Sequence, residues 1–180
     1  MTTAFRRILV PIDFSAKTDD AVNAGNIKVG DVEIAIAPVS KRVLDLANKL
    51  VGEGGEIMLL HVTPALEQAG VYSGAAGMNL LAEALDEVHR NANDASVKVL
   101  DVLAERHFPG KVVRTCAKAG IAIRVILEQA EDYDADCIIV ATSGRSRAAR
   151  FFLGSTADRV IREALCPVIV LPSHEHSHSG

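Results

Sequence analysis

The sequence predicts an α/β fold, an open parallel sheet with helices on both faces, and three observations predict it. Five short apolar runs, Arg7–Ile12, Glu56–Val62, Lys111–Ala117, Cys137–Ala141 and Cys166–Pro172, have the length and β-branched composition of strands. Between them lie segments whose apolar residues recur at helical spacing, the crossover that parallel strands require. A length of 180 residues, 49% hydrophobic, suits one domain over residues 1–172 with a polar tail at 173–180.

The first strand, RILVPI, carries Pro11 near its end, where a missing N–H is most easily tolerated. Asp13 and Ser15 follow, each a candidate N-cap for a helix entered through Thr18–Val22. Asp13 also stands at the carboxyl end of a strand in an open parallel sheet, where ligands bind, and the two roles are compatible. Ile27, Val29, Val32, Ile34 and Ile36 then alternate around Gly30-Asp31, so Asn26–Ile36 reads as an inserted β-hairpin. An isolated ribbon is marginally stable, so the hairpin is expected to project and contact a neighbouring subunit or partner, with packing on its own domain as the alternative. Pro38 and Ser40 open a helix with Val43, Leu44, Ala47, Leu50 and Val51 on its apolar face, ended by Gly52, Gly54 and Gly55.

The second strand, EIMLLHV, ends on His61, which reads as a hydrogen-bonded structural residue because no nucleophile is identifiable beside it. Thr63–Gly77 reads as a loop and Asn79 to about His107 as a long helix with Leu81, Ala84, Leu85, Val88, Ala92, Ala95, Val99, Val102 and Leu103 inward. After the third strand, Gly120 precedes a helix that buries Ile123, Ile126, Leu127 and Ala130. Glu131, Asp132, Asp134 and Asp136 fall at the amino end of the fourth strand, opposite the ligand side, and read as a solvated turn. The prolines flanking the fifth strand suit a sheet edge.

Chemistry concentrates between Cys137 and Thr156, in CIIVATSGRSRAARFFLGST. A strand runs into a loop holding Ser143, Gly144, Arg145, Arg147 and Arg150, then reaches Gly154-Ser155-Thr156. Ala157, Val160, Ile161, Ala164 and Leu165 follow at helical spacing, which puts Ser155 at the N-cap with Asp158 three residues on. The free N–H groups and dipole of such a helix start favour an anion, and glycine lets backbone approach it closely.

The spacing Ala141, two residues, Gly144, nine residues, Gly154-Ser155 resembles the G-2x-G-9x-G-S/T signature of the universal stress protein family, with Ala141 in place of the first glycine. ILVPIDFS, MLLHV, DYDADCIIVATSGRS and LGSTADRVIREALCPVIVLP extend the resemblance over most of the chain. It implies strand order 3-2-1-4-5, homodimers, here through Val168–Leu171, and adenine-nucleotide binding in a subset of members. The implied site is Pro11, Ile12, Asp13, Val140, Ala141, Ser143, Gly144, Arg145, Gly154, Ser155 and Thr156. It would take ATP, with AMP or ADP as alternatives, and magnesium with the nucleotide. A dimeric stress-response interaction module without nucleotide, and a slow nucleotide hydrolase of related fold, are the competing readings.

Other classes are disfavoured. A net charge of −4 offers no broad attraction to nucleic acid or anionic lipid. No run reaches the roughly 18 apolar residues of a membrane span, and the N-terminus lacks a secretory apolar region, so a cytoplasmic location is expected. Three dispersed cysteines, Cys116, Cys137 and Cys166, read as buried thiols. Neither G-x-x-x-x-G-K-S/T nor G-x-G-x-x-G occurs, nor S-G-G-x-D-S after the first strand, and no catalytic residue is assigned. The tail Ser173–Gly180, with three histidines, is expected to be disordered and is assigned no metal.

Overall fold

A computed structural model describes residues 5–13, 26–29, 32–36, 38–64, 75–142 and 154–172. In chain order the elements are β1 (Phe5–Pro11), β2 (Asn26–Val29), β3 (Val32–Ala35), α1 (Pro38–Leu50), β4 (Val51–Pro64) and α2 (Ala75–His107). They continue as β5 (Val112–Gly120), α3 (Ala122–Asp132), β6 (Cys137–Ala141), α4 (Ser155–Glu163) and β7 (Val168–Leu171). Five strands form one parallel sheet in the order β5-β4-β1-β6-β7, which is 3-2-1-4-5 counted over those strands.

The two-residue period of the strands sorts the core into two layers. Ile8, Val10, Ile57, Leu59, Cys137 and Ile139 meet Val43, Leu44, Ala47, Val99, Leu100 and Leu103 of α1 and α2. Leu9, Met58, Leu60, Ile138 and Val140 meet Ile123, Val125 and Ile126 of α3 and Ala157 and Val160 of α4. Strands buried on both faces explain why the runs are continuous in apolar residues instead of alternating.

The hairpin forms as the alternation requires, with Asn26↔Ala35, Ile27↔Ile34, Lys28↔Glu33 and Val29↔Val32 antiparallel. Its β2 strand lies against α2, so the ribbon packs on its own domain, the alternative to the projecting hairpin expected. Ile36, expected within the ribbon, leaves it and is buried in the core with Val10 and Ile12. Gly30 and Asp31 lie outside the described residues.

Several boundaries differ from expectation. Val51 is the first residue of β4 rather than the last of α1, and Phe5↔Val51 is followed by Arg7↔Glu56. One residue of β1 thus spans four of β4, and Gly52, Gly54 and Gly55 make this bulge rather than merely stopping a helix. Thr63 and Pro64, expected in a loop, continue β4 opposite Ala119 and Gly120. The helix α2 starts at Ala75; among its described side chains Ser96, Val99, Leu100 and Leu103 are buried while Val88 and Ala95 are exposed, and Leu81, Ala84 and Leu85 lie outside the described side chains. Thr63 at the end of β4 donates to Asn93 (3.0 Å), which fixes where α2 meets the end of that strand. Asp136 does more than sit in a solvated turn, since its carboxylate accepts the Arg6 and Arg7 N–H groups at 2.7 and 3.0 Å and ties β6 to β1.

Gly120 ends β5 with φ +153°, and a Cβ there would lie 2.8 Å from Cγ2 of Val125. Gly120→Ala is therefore expected to destabilise the protein by about 2 kcal/mol, through backbone strain and overpacking of the α3 layer. A urea midpoint unchanged at constant m-value would contradict this.

Candidate functional site: the split carboxyl end of the sheet

The β1–β6 ladder ends at Leu9↔Ile138, while β1 stays with β4 to Pro11↔Leu60 and β6 stays with β7 to Ala141↔Leu171. Backbone pairing between β1 and β6 therefore stops short of their carboxyl ends, at the crevice where successive connections leave in opposite directions. Pro11 supplies the reason. The Ile12 N–H points to β4, where it donates to Leu60 (2.8 Å). By alternation the N–H of residue 11 would point to β6, toward the Ile139 carbonyl, and proline has none. The missing rung ends the paired stretch of β1 and β6.

Around this gap the structure gathers Pro11, Ile12 and Asp13 from β1 and its exit, and Val140 and Ala141 from β6. Ile12 is buried and Asp13 is exposed. Ala157 and Val160 of α4 share a core cluster with Val140, which brings the α4 N-terminus, with Gly154, Ser155 and Thr156, to the same end of the sheet. Ser143, Gly144, Arg145, Arg147 and Arg150 lie outside the described residues.

The helix start differs from expectation by one residue. Gly154 is the N-cap, with φ −56° and ψ 149°, and its carbonyl accepts the Asp158 N–H at 3.0 Å. Ser155 and Thr156 are the first two helical residues, both exposed. No side chain caps the helix among the described residues, and Asp158 pairs instead with Arg162 at 3.0 Å. The apolar face expected to continue through Ile161, Ala164 and Leu165 is cut short. Ala164 is already extended, as the chain heads into Cys166-Pro167 and β7, and Leu165 is 88% exposed.

Ala141 lies in β6, and among the described non-glycine residues only Asp134 has positive φ. Backbone conformation thus does not demand glycine at position 141. Its methyl group packs against the α1 and α2 side of the core, as do Ile169 and Leu171.

Two polar residues at the end of β4 complete the surroundings. His61 is 8% exposed, and its Nδ1 lies 2.8 Å from the Ile12 carbonyl oxygen; Thr63 is 8% exposed and bonded to Asn93. His61 is hydrogen-bonded as expected, and its partner is the carbonyl of Ile12, the residue before Asp13. The available signal was a polar residue closing an apolar strand. The cysteines offer no nucleophile: burial pushes the Cys137 thiol up to about 12, helped by Cys166 and Asp136, and burial raises Cys116 and Cys166 too.

A model of the universal stress protein family matches residues 35–172. The chain belongs to the universal stress protein family. The match opens on the last residue of β3 and runs through β7. Among universal stress proteins of Methanocaldococcus jannaschii, MJ0577 is 28% identical over 178 residues, spanning 95% of this chain and 97% of its own. MJ0531 is 28% identical over 169 residues, spanning 93% and 82%. The solved structure of MJ0577 superposes with a TM-score of 0.61 at 23% identity, covering 97% of this chain and 99% of that one. A universal stress protein family structure from Arabidopsis thaliana, solved with AMP bound, superposes with a TM-score of 0.51 at 16% identity, covering 97% and 95%. At these identities the structural likeness is one of fold.

Proposed function

We propose that this universal stress protein is a single-domain module that binds an adenine nucleotide, ATP with magnesium foremost, in the gap between β1 and β6. The observation that supports it most is the end of β1–β6 pairing itself, because Pro11 removes a rung at the end of the sheet to which α4 also brings its N-terminus. Asp13 would accept from the adenosine part, with the backbone of Ile12 and Val140 beside it. Gly144, Gly154, Ser155 and Thr156 would offer N–H groups and hydroxyls to the phosphates, with Ser143 and Arg145 in the same loop. The fold holds AMP in the Arabidopsis relative, but the assignment here rests on this chain's own residues. The module would act in the cytoplasm by binding and through a protein partner, as a homodimer joined at β7.

Calorimetry of ATP, ADP and AMP with magnesium tests the reading directly, alongside mass identification of nucleotide released on denaturing freshly purified protein. Because Ala141 has ordinary strand backbone, its methyl should weaken binding without abolishing it. Ala141→Gly is expected to tighten ATP binding roughly threefold to tenfold, the worth of about 1 kcal/mol. If neither the wild type nor Ala141→Gly binds adenine nucleotide at millimolar ligand, a dimeric interaction module without nucleotide replaces this reading.

A further inference from the structure

We propose that His61 is a positioning residue for the gap, holding the Ile12–Asp13 peptide so that Asp13 meets the ligand from a set direction. The proposal rests on the nucleotide reading and adds the residue that shapes one wall of that site. In a continued β1–β4 ladder the Ile12 carbonyl would take the N–H of Val62. Instead the imidazole of His61 supplies the donor, 2.8 Å from that carbonyl. A carbonyl oxygen only accepts, so Nδ1 carries the hydrogen. Ile12 is 4% exposed and His61 8%, so water has little access to replace the bond.

The backbone of Ile12 is thereby held at both polar atoms, its N–H by Leu60 and its carbonyl by His61. The next residue is Asp13, where β1 has left the sheet. A side chain from the neighbouring strand thus sets the peptide plane at the point where main-chain pairing stops. The donation survives protonation of the ring, since imidazolium also carries hydrogen on Nδ1.

The test compares His61→Asn, whose side-chain amide can place a donor near the Nδ1 position, with His61→Leu, which keeps bulk and removes the donor. Calorimetry with magnesium ATP, well below each variant's unfolding temperature, should show His61→Leu about tenfold weaker than wild type, with His61→Asn within about twofold. Wild-type affinity in His61→Leu, or equal loss in both variants, overturns the proposal. If the wild type binds no nucleotide, the nucleotide reading fails separately and the clamp is judged without ligand. Amide exchange at Asp13 should then be faster in His61→Leu and near wild type in His61→Asn, and equal protection in all three overturns it. Should His61→Leu not fold, nitrogen NMR of the wild-type imidazole decides: the neutral ring must carry its hydrogen on Nδ1, and the Nε2 tautomer overturns the clamp.

Discussion

Gly154→Val is expected to abolish ATP binding while leaving the fold intact. At φ −56° and ψ 149° the N-cap backbone is open to any L-residue, so conformation gives no reason for glycine there. The remaining reason is space at the helix start, where a phosphate would approach the first N–H groups of α4. A valine side chain would occupy that space and cost the ligand at least two charge-assisted bonds, a loss of roughly 100-fold or more in affinity. As an N-cap, valine is poorer than glycine by about 1 kcal/mol, so the variant should unfold only a few degrees earlier. Calorimetry that finds Gly154→Val binding within tenfold of wild type would place the phosphates elsewhere. An intermediate affinity for Gly154→Ala would support the steric account.

Val170→Pro is expected to convert a homodimer into a folded monomer. The two edges of the sheet differ in chemistry. β5 carries Arg114 and Lys118, which discourage strand addition, whereas β7 is four apolar residues, each only half-buried. The Ile138 N–H donates to Pro167 and the Thr142 N–H to Leu171, so odd-numbered residues of β7 face β6. By alternation Val168 and Val170 turn their N–H and C=O groups outward. A second copy running antiparallel about a two-fold axis at Ile169 would pair Val168 of each chain with Val170 of the other, satisfying four such bonds. Ile161 of α4 and Leu165, ahead of β7 in the chain, are 42% and 88% exposed. Proline at 170 removes an N–H that the β6–β7 ladder does not use and blocks the partner strand. The dissociation constant should rise on the order of 100-fold. Sedimentation at micromolar concentration checks it: a monomeric wild type, or a dimeric Val170→Pro protein, rules out this interface.

The strand runs and the hairpin were legible because each rests on local pattern, whereas the strand order came with the family resemblance. β-branched apolar runs bounded by Gly and Pro stay strands in any packing, and alternation around Gly30-Asp31 suffices to name a ribbon. The candidate site came as a list from the loop spacing and the family resemblance, and Ser143, Gly144 and Arg145 of that list lie outside the described residues. Boundaries were not legible. Whether Gly52, Gly54 and Gly55 end a helix or make a bulge depends on Phe5 and Arg7, some 45 residues away, keeping their register with Val51 and Glu56. Val88 and Ala95 fit the helical period of α2 yet find no sheet beneath them. Periodicity states which side chains share a face, not where the opposing layer stops.

What the sequence by itself determined is therefore the set of elements and the parallel α/β plan, both carried by composition and spacing along the chain. Only the tertiary structure decided what joins them. It showed that Pro11 ends the β1–β6 ladder, that Asp136 fastens the amino end of β1, and that His61 takes the Ile12 carbonyl where β1 leaves the sheet. Each is a hydrogen bond made or missing between residues distant along the chain. The partner of a backbone group is set by strand order and register, which no single segment encodes.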